Sequence, residues 1–195
     1  MLKATFSFVL AGVTLGLGPC SRGGGSSSGS ADPAAPSASV VTIANELGGC
    51  PDLSACEKEC DAGSPDRCRR LGVTYEFGKS SVTKDEKRAT TYYEQACAMH
   101  DGQACLSAGR MYEFAHGVAK DDAKATQLYD RSCAAGVSAG CYNQGIMLEN
   151  GRGVAKDESR AGDLYDQVCA DGSKTACESA KAVHARLAQA DGGRR

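Results

Sequence analysis

The stretch QGIMLENGRGVAKDESRAGDLYDQVC, from Gln144 to Cys169, decides how the chain folds. Its turn GVAKD, at Gly153 to Asp157, occurs in identical form at Gly117 to Asp121 and in the looser form SVTKD at Ser81 to Asp85. Behind each turn, alanine and tyrosine recur at fixed places. These columns hold Ala89, Ala125 and Ala161, and then Tyr93, Tyr129 and Tyr165. Internal similarity of this kind predicts a repeat array rather than one large core.

Cysteines mark the same period. They form four C-x7-C pairs, which follow each other after 37 residues at the first step and after 36 at each later step. The pairs are Cys60 with Cys68, Cys97 with Cys105, Cys133 with Cys141, and Cys169 with Cys177. The extra residue of the first unit falls in the turn before Val82, where a loop can absorb it.

Each unit resolves into two helices joined by the turn. An aspartate at the end of the turn is a predicted N-cap, because its carboxylate accepts hydrogen bonds from free N–H groups and complements the helix dipole. These caps are Asp85, Asp121 and Asp157. The helix that follows carries small or apolar residues at i, i+3, i+4 and i+7, which is a helical period. In the last unit they are Ala161, Leu164, Tyr165 and Val168.

A glycine recurs in the helix behind each second cysteine, at Gly72, Gly109 and Gly145. Glycine in a helix interior costs up to about 1 kcal/mol relative to alanine. Its recurrence in one column therefore predicts that neighbouring backbones approach each other closely there. Together with the caps and the stripe, it indicates a repeat built of αα-hairpins.

Two segments carry a family resemblance, LGVTYEFGKSSVTKDEKRATTYYEQAC (71–97) and the stretch quoted first. They resemble the Sel-one-like repeat, a tetratricopeptide-like hairpin with the approximate pattern G-x-x-Y-x-x-G-x-G-V-x-x-D-x-x-x-A-x-x-x-Y. The C-x7-C pairs narrow the resemblance to the cysteine-rich secreted bacterial branch. It spans roughly residues 56 to 184 and implies an all-α fold, a right-handed αα-hairpin solenoid of about three to four disulfide-stapled repeats.

The sequence departs from that pattern at three places. Leu148 replaces the expected tyrosine, EFAHGVAKD lacks the first turn glycine, and Lys181 stands in the glycine column of the last helix. An atypical last helix is expected of a solenoid cap, whose outer face is more polar.

Structural disulfides are the expected role of the cysteine pairs. The first cysteine of each pair falls at the end of one helix and the second near the start of the next, and an antiparallel pair brings such ends near disulfide distance. A zinc site would need C-x2-4-C with nearby histidines, and a thioredoxin-like site would need C-x-x-C. We therefore expect no metal and no cofactor.

The remaining cysteines are less regular. Cys56 and Cys60 lie four residues apart on one predicted short helix, so Cys56 has two possible partners. Regularity assigns Cys60 to Cys68, which leaves Cys50 with Cys56. Eleven cysteines then give five pairs and one unpaired residue, Cys20.

Residues 1–20 predict a signal peptide. Lys3 supplies a positive charge, and FSFVLAGVTLGLG is uncharged, mostly apolar and short for a membrane span. The motif LGPC, ending at Cys20, resembles a bacterial lipobox, whose cysteine is lipidated, although Pro19 stands where small residues are usual. Ordinary signal-peptidase cleavage is the alternative. We expect an exported protein of the periplasm or outer membrane or, alternatively, a secreted one.

The domain organisation follows from these features. Residues 21–45 are rich in glycine, serine, proline and alanine and are a predicted flexible tether. Residues 46–191 form the predicted solenoid, with units at about 56–68 (partial), 69–105, 106–141 and 142–177 and a cap helix at 177–190. The net charge of −2 shows no basic footprint for nucleic acid, and a membrane is expected only through a lipid anchor.

Three function classes stay open. Helical solenoids bind peptides or proteins on a concave face, commonly lined by the first helix of each hairpin. The candidate positions there vary between units. They are Arg69, Arg70, Val73, Leu106, Ser107, Arg110, Tyr142, Asn143 and Ile146. The favoured function is therefore non-catalytic protein or peptide binding at the bacterial cell envelope, and a structural lipoprotein spacer is one alternative.

The other alternative is an enzyme. The resemblance to the cysteine-rich branch implies penicillin binding or weak β-lactamase activity, and the chain contains one S-x-x-K motif, Ser81 to Lys84. The partner motifs S-D-N and K-T-G are absent, and glycines stand at the places equivalent to Ser81, at Gly117 and Gly153. A chance match is the better explanation, so we predict no catalytic residue.

Overall fold

The computed structural model describes residues 49–192. The predicted signal peptide, Cys20 and the predicted tether lie outside the described residues. The described part contains helices and no strand. The helices are α1 (Leu53–Asp61), α2 (Pro65–Phe77), α3 (Glu86–Ala98), α4 (Gly102–Glu113), α5 (Asp122–Ala134), α6 (Ser138–Asn150), α7 (Glu158–Ala170) and α8 (Lys174–Gly192).

Three helical hairpins follow one another along the chain. Each has a first helix and a second helix, and the pairs are α2 with α3, α4 with α5, and α6 with α7. Helix α1 precedes the first pair, and α8 packs on α7 as the cap. Each helix packs mainly on its neighbours in sequence, as in a solenoid. The predicted all-α repeat solenoid is confirmed.

Aspartate caps begin the second helices, as the sequence predicted. The Asp85 carboxylate accepts a hydrogen bond from the Arg88 amide at 3.0 Å. The same contact recurs at 2.9 Å from Asp121 to Lys124 and from Asp157 to Arg160. Because each cap satisfies a free N–H group of the first turn, the helix start is held at the same place in every unit.

The glycine column has a different partner from the predicted one. A tyrosine ring of the second helix, rather than a neighbouring backbone, lies against each glycine. A Cβ atom at Gly72 would stand 2.5 Å from ring carbons of Tyr93. The equivalent distances are 2.6 Å from Gly109 to Tyr129 and from Gly145 to Tyr165. Glycine is needed there because it alone leaves room for the ring, and all three tyrosines are fully buried.

Consecutive units also meet through the turns. Gly117 has a φ of +68° and lies against the backbone of Glu86 at the start of α3, and Gly153 lies in the same way against Asp122 at the start of α5. A threonine of the earlier unit donates to the same turn. Thr126 Oγ1 donates to the Arg152 carbonyl at 3.0 Å, and Thr90 Oγ1 to the His116 carbonyl at 3.3 Å.

Disulfides join each unit to the next. Cys97 lies in the last turn of α3 and Cys105 in the first turns of α4, with their Cα atoms 4.6 Å apart. The Cα separation is 4.8 Å between Cys60 and Cys68 and 4.4 Å between Cys133 and Cys141. Disulfide bonding in the repeats is thereby confirmed, and each of these C-x7-C bridges links the end of one helix to the start of the next.

The bridge to the cap lies at a helix start that differs from the predicted one. Cys169 lies in the last turn of α7, and its Cα atom is 4.6 Å from that of Cys177. The cap helix was expected to begin at Cys177, whereas α8 begins at Lys174, so Cys177 lies inside its first turn. The reason is local, because the Ser173 carbonyl accepts a helical hydrogen bond from the Cys177 amide at 3.1 Å and thus starts the helix earlier.

The irregular pair lies at the start of the described chain. Cys50 is bonded to Cys56 of α1, with their Cα atoms 6.2 Å apart. Both residues are buried against the first unit. This bridge fastens the segment before α1 to the solenoid.

Candidate binding face of the first helices

The candidate positions lie on α2, α4 and α6, some at the rim of the tyrosine core and some beyond it. We call this surface the first-helix face. On α4, an exposed or half-buried stripe runs through Gln103, Ser107, Arg110 and Phe114. Because these residues follow each other at steps of three or four, they share one side of the helix.

Ion pairs hold the arginines of α2. The Arg69 guanidinium lies 2.9 Å from a carboxylate oxygen of Asp101, which belongs to the next unit, and also contacts Asp66. Arg70 contacts the other Asp66 oxygen at 2.8 Å. Both arginines are half-buried. Both charges are matched inside the protein, Arg69 across the join between units and Arg70 within α2, so neither forms an open positive surface.

The apolar candidates form the rim of the core. Val73 packs on the core of the first unit, and Leu106 packs on the cluster formed by Ala125, Tyr129 and Met147. The Tyr142 ring lies 5.3 Å from the Tyr165 ring, and Ile146 packs on the same cluster as that tyrosine. All four candidates are half-buried. They shape the surface, but most of their apolar area is already used.

Arg110 differs from the other candidates. It is exposed, and its side chain makes no hydrogen bond or ion pair with any described residue. Ser107 and Asn143 are half-buried on the same face. Arg110 is therefore the predicted position with an unused charge.

Two phenylalanines complete the face and were missed from the sequence. Phe77 is 61% exposed and Phe114 is 56% exposed, and they are the large hydrophobic side chains that the described residues leave exposed. They stand four residues beyond Val73 and Arg110, so the surface stripe extends one helical turn beyond the predicted positions. The sequence contained a signal for them, because an apolar residue continues the variable stripe in each of these two helices. The equivalent position in α6 is Asn150.

A buried polar contact lies under the face in every unit. The hydroxyl of the core tyrosine donates to a glutamate of the first helix of its own unit. The distances are 2.6 Å from Tyr93 to Glu76, 2.6 Å from Tyr129 to Glu113 and 2.8 Å from Tyr165 to Glu149. Burial, and then this hydrogen bond, raise the pKa of each tyrosine. The hydroxyls therefore stay protonated and serve as donors.

A cation from the following unit completes two of these contacts. Arg152 binds Glu113 at 2.7 Å and Asp122 at 2.9 Å. Arg186 of the cap takes the same place toward Glu149 at 2.5 Å and Glu158 at 3.5 Å. At the join between the first and second units, the equivalent side chain is His116 of the second unit, which lies 3.6 Å from Glu86 of the first. The three glutamates are thus hydrogen-bonded to core tyrosines, and two of them are also paired with an arginine of the following unit.

The S-x-x-K motif lies away from this face, in the loop between α2 and α3. Ser81 is exposed and has a φ of +65°. The Lys84 ammonium lies 2.8 Å from a carboxylate oxygen of Glu86. A nucleophile needs a base within hydrogen-bond reach, and Lys84 is engaged by Glu86 instead.

Within residues 49–192, no three His, Cys, Asp or Glu side chains lie close enough to share a metal ion. None of the helices described there has the length and apolar content needed to cross a membrane.

Comparison with protein families finds one repeated match. The model described as "Sel1 repeat" matches residues 68–101, 102–137 and 138–173, which together cover more than half of the chain. Each match contains one first helix and one second helix, so the matched repeats coincide with the three hairpins of the structure.

Solved structures with the same fold include three bacterial proteins, each 26% identical to this chain. A Sel1 repeat protein from Oxalobacter formigenes matches with a TM-score of 0.61, covering 68% of this chain and 98% of that one. The antigen c5321 of uropathogenic Escherichia coli, which displays an SLR fold, matches at 0.61 over 64% of this chain and 26% of its own. Cysteine rich protein B (hcpB) of Helicobacter pylori matches at 0.51, over 65% and 93%.

A curated relative is similar over a shorter segment. Cytochrome c oxidase assembly factor 7A of Xenopus laevis is 34% identical over 61 residues, which is 31% of this chain. The matched segment spans about a quarter of that relative's length, 26%.

Proposed function

The chain belongs to the Sel1 repeat family, and from that premise we propose that it is an exported, non-catalytic solenoid that binds a protein or peptide at the bacterial cell envelope. Sel1 repeat solenoids are typical of protein–protein interaction. One observation supports the proposal for this chain above the others. The first-helix face exposes Phe77 and Phe114 at equivalent positions of neighbouring units, and aromatic side chains and arginine are enriched in protein interfaces relative to the rest of the surface.

The cysteines support the part of the proposal that concerns location. Five disulfides in one chain indicate an oxidising environment outside the cytosol. Attachment to the envelope through a lipidated Cys20, or release into the periplasm or medium, belongs to the proposal. An intact mass of the mature protein distinguishes the two, because lipidation adds the mass of a diacylglyceryl group to a chain that starts at Cys20.

A crosslinking experiment in living cells tests the binding role. Photoreactive benzoyl-phenylalanine replaces Phe114 in the full chain, and in a control chain it replaces Gln127, an exposed residue on the second helix α5. We expect a discrete crosslinked envelope protein from position 114 and none, or a different pattern, from position 127. Equal patterns from both positions would contradict a binding role for the first-helix face and favour a spacer.

A further inference from the structure

Phe77, Phe114 and Arg110 are exposed toward the ends of the first helices of two neighbouring units, and we call these three residues the aromatic–arginine patch. Arg110 lies in the last turn of α4 and Phe114 is its C-cap residue, four residues further on, so their side chains are neighbours. Phe77 holds the same place at the end of α2 as Phe114 holds at the end of α4. The patch thus combines the two exposed phenylalanines with the unpaired arginine, whereas the equivalent places on α6 hold Asn150 and Ile146.

Basic side chains lie beside both rings. The Lys79 ammonium lies 5.4 Å from the centre of the Phe77 ring, and the His116 ring lies 6.1 Å from the Phe114 ring. The carboxylates next to the phenylalanines in sequence point the other way, into the protein. Arg110 is a cation that no acid of the described residues holds by a hydrogen bond or ion pair.

The two carboxylates next to the phenylalanines, Glu76 and Glu113, have partners within the protein. Glu76 accepts a hydrogen bond from Tyr93. Glu113 is 9% exposed, accepts from Tyr129 and binds Arg152. The Glu113 charge is thus balanced by Arg152, whereas Glu76 is held by the neutral Tyr93 hydroxyl.

We propose that the aromatic–arginine patch binds an acidic segment of a partner protein, which pairs a carboxylate with Arg110 and covers Phe77 and Phe114 with apolar side chains. This inference rests on the proposed function and specifies its partner. Charge complementarity supports it, since a carboxylate can form a two-pronged hydrogen bond with a guanidinium that has no internal partner. Aromatic and apolar side chains of the segment would remove both rings from water.

An anionic membrane surface fits the patch less well. Membrane recognition by charge uses clusters of about four to eight lysines or arginines. On this face, Asp66 and Asp101 neutralise Arg69 and Arg70, which leaves few cations beside the rings. A short acidic segment needs only one well-placed guanidinium and two apolar contacts.

Synthetic peptides test the inference on the full, oxidised chain. An extended peptide advances about 3.4 Å per residue and points successive side chains to opposite faces, so the fluorescent acidic probe carries two phenylalanines four residues apart, on one face, with aspartates between and around them. A basic probe replaces the aspartates by lysines, and a third probe replaces the phenylalanines by asparagines. Affinity is measured by fluorescence anisotropy. We expect the basic and asparagine probes to bind at least about tenfold more weakly than the acidic probe.

Variants of the chain locate the contact. We expect Phe114→Ala and Arg110→Gln each to weaken the acidic probe at least about tenfold, and the Arg110→Gln loss to shrink at high salt because ion pairs are screened. The matched control is Asn150→Ala, which truncates the equivalent residue of α6 and should leave the affinity unchanged. All three side chains are exposed, and thermal melting verifies that each variant stays folded.

Other outcomes would overturn the inference. Equal affinity for the acidic and basic probes, with a loss in Phe114→Ala, would reject the acidic partner while leaving the proposed binding function in place. Binding to vesicles of anionic lipid but to no probe would assign the patch to a membrane. A dimer in sedimentation that Phe114→Ala dissolves would make a second copy the occupant. If no probe binds and crosslinking from position 114 also finds no partner, the proposed function fails as well.

Discussion

The two halves of the solenoid share the same core contacts but differ in their surface residues. In α2–α5 and in α6–α8, a second-helix tyrosine lies on a first-helix glycine and donates to a first-helix glutamate, and disulfides of one spacing join the units. On the surface, the first half ends its first helices with Phe77 and Phe114. The second half has Asn150 at that place. The shared inner columns form the fold, and the differing outer positions carry what is particular to this protein.

A second difference lies at the joins between units. Arg152 and Arg186 each bridge two carboxylates of the preceding unit. At the first join, His116 takes that place, contacts Glu86 at 3.6 Å and is half exposed. The first join thus has a weaker polar contact than the two that follow it, beside the same phenylalanine that forms the binding patch.

Truncating a core tyrosine should have the largest effect and should be equal in both halves. Tyr93→Ala and Tyr165→Ala each remove a buried ring and leave a glutamate without its donor, which costs about 3–5 kcal/mol for the lost ring alone. Urea unfolding followed by circular dichroism measures the cost. Phe114→Ala is the control, since its exposed ring should change stability by less than about 0.5 kcal/mol. A small loss at Tyr165 beside a large one at Tyr93 would mean that the inner columns are not equivalent.

Removing one bridge comes next. Replacing Cys133 and Cys141 together by serine opens a loop of nine residues and should cost about 2–3 kcal/mol in the chain-entropy model. The same change at Cys97 and Cys105 should cost a similar amount, because the spacing and the helix ends are the same. Unfolding of the two double variants beside the unaltered oxidised chain gives both values. Free thiols from these cysteines in the unaltered protein would contradict the assigned bridges.

The joins should respond differently to loss of their cation. Arg152→Gln leaves the nearly buried Glu113 without its counter-charge and should cost about 1–3 kcal/mol. His116→Gln should cost less than about 1 kcal/mol, because its contact is longer and half exposed. Both are measured by urea unfolding at pH 7. Equal costs would remove the distinction between the first join and the second.

Acid should lower the stability of all three units. The loss for each carboxylate that becomes protonated should be smaller than the losses expected from the substitutions above. A lysine hydrogen-bonded to the first-turn carboxylate holds the pKa of Glu86, Asp122 and Glu158 below the ordinary range; the lysines are Lys84, Lys120 and Lys156. A lowered pKa in the folded state stabilises above the unfolded pKa and is lost as the pH falls through the folded value. The melting temperature should therefore be steady from pH 7 to about pH 4.5 and fall below it.

Matched lysine variants separate this effect from general acid unfolding. Lys120→Ala removes the leading hydrogen bond to Asp122 and should flatten part of the fall in melting temperature. Lys87→Ala removes an exposed lysine that forms no side-chain bond to these carboxylates and should leave the profile unchanged. Identical profiles for the two variants would show that the first-turn pairs contribute nothing measurable.

The repeated core residues could be predicted from the sequence, whereas the contacts between units and the exposed surface residues were harder to predict. Aspartate caps and cysteine spacing act within one or two turns of chain, so a regular period reveals them. The prediction of a close backbone approach at Gly109 was wrong. The sequence shows that a glycine recurs there, but not that the Tyr129 ring fills the space beside it. The pairing of Arg69 with Asp101 spans two units and has no local signal. Phe77 and Phe114 could have been found by extending the surface stripe one turn.

The most direct measurement exchanges the outer residues of the two halves. In the full oxidised chain, Phe77→Asn and Phe114→Asn together make the first half resemble Asn150 of the second, while the core tyrosines stay in place. The acidic phenylalanine probe should then lose at least about tenfold in affinity, with an unchanged melting temperature. An unchanged affinity in a folded double variant would contradict the assignment of binding to the first-helix face.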